Sequence, residues 1–237
     1  MNWKKVSLGS MLFTVIALAA PVSTASAQWS ATAIGVAEYD TDETLLLLAG
    51  VSAGPGGMGW SPRIGVQGYH LGFDGGAGRT NVVVVRPYVG MRNGFTGGSA
   101  SINVGYAFSN RDTDAPAIVS DRGNGVVLSG GWDYWGTGGP FGYQLLGSYN
   151  FGTESIWTRA RGTTRIQQRA NGQTRLGAEV AYLSDNDNFS AFQPGAVLEL
   201  HGANGVIIGL GAGVKIFEGT DDKPVYFKIE GVLPLRR

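Results

Sequence analysis

The sequence predicts an all-β fold, a closed antiparallel up-and-down transmembrane β-barrel of about twelve strands that follows a cleaved signal peptide. Three observations carry this. After residue 28, apolar residues alternate with small or polar ones at period 2 over almost the whole chain, as in strands with one face in lipid and the other in a polar interior. The alternating segments run about 11–14 residues, whereas soluble strands average about 5–6 and a tilted membrane strand needs about 9–11. The connections alternate between compact, often Gly-rich turns and longer polar loops, which is the habit of outer-membrane barrels.

Composition supports the same class and excludes others. Of 237 residues 39 are Gly and none is Cys, and charged residues make up 15%, against roughly 25% in a typical soluble domain. The lack of Cys excludes a disulfide scaffold, a thiolate zinc site and an iron–sulfur cluster. With 18 Lys+Arg against 18 Asp+Glu there is no basic stripe for nucleic acid. The 43% apolar and 11% aromatic content argues for order.

The first element is the signal peptide, residues 1–27. Lys4 and Lys5 form a basic start, Val6 to Val22 is largely apolar, and Ala25-Ser26-Ala27 supplies the small residues before a cut between Ala27 and Gln28. This implies export to a Gram-negative envelope, with residues 28–237 as one barrel domain in the outer membrane. The twelve strands are expected at 29–39, 43–54, 60–73, 79–92, 97–108, 123–135, 140–151, 154–166, 173–184, 191–201, 205–216 and 223–233. The clearest alternation sets Val126, Leu128, Trp132 and Tyr134 against Val127, Ser129 and Asp133, and Val225, Phe227 and Ile229 against Tyr226, Lys228 and Glu230. With the N-terminus on the periplasmic side, the longest connection, 109–122, falls outside.

Parity then assigns side chains. Arg63, Arg86, Arg92, Arg159, Arg161, Arg165, Arg175, Lys215 and Lys228 point into the lumen with Asp133, Glu179, Glu199 and Glu230. Glu38, Glu43, Arg79 and Glu154 stay unassigned at strand ends. The candidate lumen charge network comprises Arg63, Arg86, Arg159, Arg161, Arg175, Glu179, Glu199, Lys228 and Glu230. Such a surplus of cations either selects anionic solutes or fills a narrow lumen with ion pairs. Trp60, Trp132, Tyr134, Tyr149 and Tyr182 fall on the lipid parity as interfacial aromatics, while Tyr69, Tyr88, Trp157 and Tyr226 point inward.

Nothing in the pattern asks for a cofactor or a metal. The histidines are His70 and His201, and neither has a named nucleophile partner. Gly209-Leu-Gly211-Ala-Gly213 lies inside a strand, where no helix follows to make it a nucleotide loop. Asp185-Asn186-Asp187-Asn188 and Asp221-Asp222 read as solvated loops.

Trp157-Thr-Arg159-Ala160-Arg161 forms a W-x-R-A-R strand, followed by Arg175-Leu176-Gly177-Ala178-Glu179 and preceded by Trp132-Asp133-Tyr134 and Gly147-Ser148-Tyr149. Over residues 130–185 the chain resembles the BcsS family, small outer-membrane barrels associated with bacterial cellulose biosynthesis. Gly177-Ala178-Glu179 departs from the Gly-Pro-Glu expected there. The resemblance implies a non-enzymatic role in cellulose or exopolysaccharide production, with outer-membrane lipid and a polysaccharide or an exopolysaccharide secretion complex as partners and no catalytic residues. Two alternatives stand beside it: a small anion-leaning channel whose preference rests on Arg159 and Arg161, and a rim enzyme acting on lipid through His70.

Overall fold

The computed structural model describes residues 29–74, 79–113, 123–135, 139–185 and 190–235. The expected signal peptide and its Ala27/Gln28 cleavage site lie outside the described residues, as do most of the 109–122 loop and Asn186 to Asn188.

Every regular element among the described residues is a strand: β1 Trp29–Asp40, β2 Leu45–Pro55, β3 Gly59–Asp74, β4 Arg79–Phe95, β5 Gly98–Thr113, β6 Gly125–Tyr134, β7 Phe141–Asn150, β8 Ser155–Arg169, β9 Gly172–Ser184, β10 Ser190–Gly202, β11 Ile207–Val214, β12 Ile216–Phe217 and β13 Val225–Leu235. Consecutive strands pair antiparallel from β1 to β10. β10 continues to β11 and β12, β11 pairs with β13, and β13 pairs back onto β1. The sheet therefore closes through the β11–β13 and β13–β1 ladders, as a sheet that spans a membrane must.

There are twelve staves, because β11 and β12 are two parts of one. The unbroken strand expected at 205–216 is interrupted at Lys215, whose amide donates to the Pro224 carbonyl at 2.9 Å. β12 then pairs only with β10, through Ala191↔Phe217 and Phe192↔Ile216. Several staves outrun the expected ends: β4 reaches Phe95, β5 Thr113 and β8 Arg169. β8 carries a bulge between Arg165 and Gln167, which leaves Ile166 as the extra residue and 56% exposed.

Both described ends of the chain lie at one rim, called the terminal rim below, together with the two-residue β4–β5 and β8–β9 turns. The opposite, loop rim carries the connection between β5 and β6. Apolar residues cover the exterior between them, including Ile64, Val89, Ile102, Leu128, Leu145, Leu210 and Ile229. Aromatics gather at its two edges. Near the terminal rim the Phe95 and Trp132 rings lie 6.3 Å apart, Trp132 and Tyr143 6.1 Å, and Tyr134 and Tyr143 5.3 Å; Trp60 stands exposed beside β4. Near the loop rim Tyr106 lies 4.9 Å from Phe108 and Tyr149 4.8 Å from Phe151, with Tyr182 and Phe192 in register. From Val126 to Trp132 the chain rises ~20 Å at ~3.3 Å per residue, which suits an apolar band about 25 Å tall.

Candidate functional site

The interior holds a cavity of 2110 Å³, lined from Ser30, Pro55 and Pro234 at the terminal rim to Asn110, Glu154 and Thr220 at the loop rim. Its wall has four parts.

The first part is an ion-pair network on β8, β9, β10 and β13. Arg161 donates through Nε and Nη2 to Glu179 Oε2, at 3.0 and 2.6 Å, and through Nη1 to Glu199 Oε1 at 2.7 Å and to Glu230. Arg159 Nη1 donates to Glu230 Oε2 at 2.9 Å and Nη2 to Gln144. Lys228 binds Glu179. Three cations thus face three carboxylates, and Arg161, Glu179 and Glu199 are all buried. Opposed charges sharing several hydrogen bonds offset the desolvation that burial costs.

The glycines of β11 make room for this network. The register sets Gly209 opposite Glu230, Gly211 opposite Lys228 and Gly213 opposite Tyr226. A Cβ at Gly209 would come 2.7 Å from Glu230 Cγ, one at Gly211 3.2 Å from Lys228 Cε, and one at Gly213 2.8 Å from the Tyr226 ring. The alternate glycines of Gly209-Leu-Gly211-Ala-Gly213 thus clear lumen volume for larger neighbours.

A second group sits where β1 passes close to Lys215. Lys215 Nζ lies 2.6 Å from Asp40 Oδ2 and 3.0 Å from Glu38 Oε1, and all three residues are buried. Asp40 also closes the β1–β2 turn, since its Oδ1 accepts from the amides of Asp42 at 3.0 Å and Thr44 at 2.9 Å. Glu38, unassigned by parity at a strand end, and Asp40, placed in a loop, therefore both belong to the lumen charges. Barrel closure brings them to Lys215.

Arg175, expected in the network, and Asp133 and Arg165, expected in the lumen, stand apart from it. Arg175 is fully buried, but it donates to Thr163 Oγ1 at 3.0 Å and to the Pro140 carbonyl at 2.9 Å, and its guanidinium lies 6.0 Å from the Trp135 ring. Neutral acceptors and a ring satisfy it, so it makes no ion pair with Glu179. Asp133 accepts from Ser99 Oγ at 2.8 Å. Arg165 lies beside the bulge and donates to Gln168.

Arg63 and Arg86 are likewise outside the network. With Arg92 they form a row up the β3–β4 wall: Arg92 lies opposite Ser61, Arg63 opposite Gly90 and Arg86 opposite Gln67. Arg63 Nη2 donates to Ser52 Oγ at 2.6 Å and to Tyr88 Oη at 3.4 Å, and Arg86 donates to Gln67. Among the described residues none of the three has a carboxylate within ion-pair distance. The lumen thus carries more acid than parity implied, with Glu38 and Asp40 added, and its cations without an ion pair gather on this one wall, where Asp133 interacts with Arg92 and Arg63 at longer range.

The fourth part is apolar. Toward the loop rim the inward residues of β1 to β6 include Val36, Leu46, Leu48, Leu71, Val82, Val84 and Val127. Val84, Ala107 and Val127 form a buried cluster with Tyr69 and Val82 packed on it. Sequence reading missed this wall, because it took the inner parity as small or polar.

The two histidines lie at different ends and on different faces. His70 pairs across from Leu47 and Val83 on the outward face of β3, and its buried Nδ1 has no hydrogen-bond partner. His201 points inward near the terminal rim, with Nε2 2.9 Å from Glu199 Oε2 and its ring 5.1 Å from Trp135. Trp157 and Trp135 both line the cavity.

No protein-family model and no curated protein matches the sequence. Solved structures do match in shape. The β domain of the Bordetella autotransporter BrkA covers 86% of this chain and 98% of its own, at 10% identity and a TM-score of 0.55. An outer membrane channel from Pseudomonas putida F1 covers 91% and 100%, at 9% identity and a TM-score of 0.53. The translocator domain of the autotransporter NalP from Neisseria meningitidis covers 97% and 94%, at 10% identity and a TM-score of 0.51. At such identities the likeness concerns architecture, and the architecture is that of outer-membrane β-barrels.

Proposed function

We propose that the chain is a non-enzymatic outer-membrane channel that favours anions, with its terminal rim toward the periplasm after cleavage at Ala27/Gln28. The observation that carries this reading is the row Arg92, Arg63 and Arg86, which lines a cavity reaching both rims and, among the described residues, forms no ion pair, Asp133 acting on Arg92 and Arg63 only at longer range. Charge on a pore wall that no ion pair neutralises biases the sign of the solute that passes. Arg159 and Arg161, expected to set the preference, are instead neutralised by Glu179, Glu199 and Glu230. A non-catalytic role is supported by the histidines, since His70 faces outward and His201 is held by Glu199.

The test is reversal potential in planar bilayers under a salt gradient. Wild type is expected to prefer chloride over potassium, and Arg63→Gln with Arg86→Gln is expected to abolish most of that preference. A chain that conducts nothing, or whose preference survives both substitutions, overturns the reading.

A second reading, association with cellulose or exopolysaccharide production, is supported by the W-x-R-A-R strand. Trp157 and Arg159 both line the lumen, so a ring for stacking on a sugar and a guanidinium for its hydroxyls stand on one stave. Deletion of the gene is then expected to lower cellulose-dependent dye binding. Unchanged dye binding in a cellulose-producing strain counts against this reading.

A further inference from the structure

The arginine row runs into the apolar wall, and the junction has the chemistry of a particular solute. Arg86 stands two residues from Val84 along β4, and Tyr69 lies opposite Val84 in register. Beyond it toward the loop rim, Leu48, Leu71 and Val82 line the same cavity, backed by the buried Val84 and Val127. A lumen built for small hydrated ions alone gains nothing from a contiguous apolar lining, because water against that lining is unfavourable. The guanidinium at the foot of the wall has a neutral amide, Gln67, as its hydrogen-bond partner, and a fork of donors suited to a carboxylate.

We propose that the lumen holds an amphipathic monocarboxylate, its head group on Arg86 and its aliphatic chain along the wall toward the loop rim. This rests on the channel reading and names its solute class. From Arg86 to Val82 the wall extends ~13 Å at ~3.3 Å per residue, enough for a medium-length alkyl chain. Arg63 and Arg92 lie at successive levels below, ~13 and ~20 Å further toward the terminal rim by the same spacing. They supply further positions for a carboxylate leaving Arg86. A short hydrophilic anion uses the arginines only, and a neutral alkyl chain uses the wall only. Both parts together select a molecule that is anionic at one end and apolar along its length.

The experiment uses the full mature chain in lipid nanodiscs, with binding of decanoate, acetate and decanol measured by calorimetry against empty nanodiscs. Decanoate is expected to bind at least tenfold more tightly than acetate or decanol. Arg86→Gln and, separately, Leu48→Ser with Leu71→Ser are each expected to weaken decanoate binding at least tenfold. Far-UV circular dichroism of each variant confirms a folded barrel. Equal affinity for decanoate and acetate, or full decanoate affinity in both variants, overturns the proposal. The channel reading is judged separately by conductance. A conducting, chloride-preferring pore without decanoate selectivity overturns the proposal alone, and a non-conducting barrel that binds decanoate overturns the channel reading alone.

Discussion

Arg161 on β8 and Glu230 on β13 form an ion pair although three staves, β9, β10 and β11, lie between them. The same guanidinium binds Glu179 at 2.6 Å and Glu199 at 2.7 Å. The contact is therefore a chord across part of the lumen, and it leaves the β3–β4 arginine row on the open side.

Removing one end of that chord strands charge on the other. Glu230→Leu is expected to destabilise the barrel by about 3–5 kcal/mol, the cost of breaking a buried pair. The double variant Arg161→Leu, Glu230→Leu is expected to lose less than the two single losses added together. Urea unfolding in lipid vesicles measures the losses. Single-channel recording is expected to show larger conductance in the double variant, where the chord is gone.

Asp40 holds a turn with one oxygen and Lys215 with the other. Asp40→Asn keeps a turn acceptor and leaves Lys215 its Glu38 partner at 3.0 Å, so a loss of about 1–3 kcal/mol is expected. Asp40→Ala removes both functions and is expected to cost more than Asp40→Asn in the same unfolding assay.

The outer face predicts a depth dependence. Ile229, 51% exposed between the aromatic edges, is expected to cost about 2–4 kcal/mol on substitution by Arg, and Trp60, at the terminal edge, about 0–1 kcal/mol for the lost depth term. Refolding titrations into vesicles of one lipid separate the two. Equal costs overturn the placement of the apolar band.

Overpacking the β11 glycines tests how closely the network is fitted. Gly209→Val places carbon against Glu230 and is expected to cost about 1–3 kcal/mol, whereas Leu210→Val, on the lipid face, is expected to cost less than about 1.5 kcal/mol as a small apolar change. Unfolding midpoints of the two variants decide it.

Stave positions and side-chain parity were legible in the sequence because lipid and lumen impose different demands at period 2. The direction of Arg161, Glu179, Glu199 and Lys228 follows from that alone. Their partners do not. Arg161–Glu230 depends on closure bringing together strands about seventy residues apart, and strand spacing, tilt and register set that distance. Asp40 fell in the connection between the strands expected at 29–39 and 43–54, and it does serve the turn while also reaching Lys215. The apolar lumen wall escaped notice because Leu45 to Leu48 and Val82 to Val85 are apolar on both parities. Alternation there gives no sign that the inward half differs from a lipid-facing one.

The glycine column on β11 also acts when the barrel is assembled. β13 must meet β11 on one side and β1 on the other, and a hydrogen-bonded ladder alone accepts several alignments. A shift of one residue would turn Lys228 and Glu230 into lipid. A shift of two keeps the faces but brings Glu230 over Ile207 in one direction and Tyr226 over Lys215 in the other, as counted from the observed pairs. Only the native alignment lays all three bulky residues on glycine. The seam of the cylinder is thus proofread by shape, and a chain with a filled column is expected to accumulate as unclosed or misaligned sheets even where its final fold would tolerate the change.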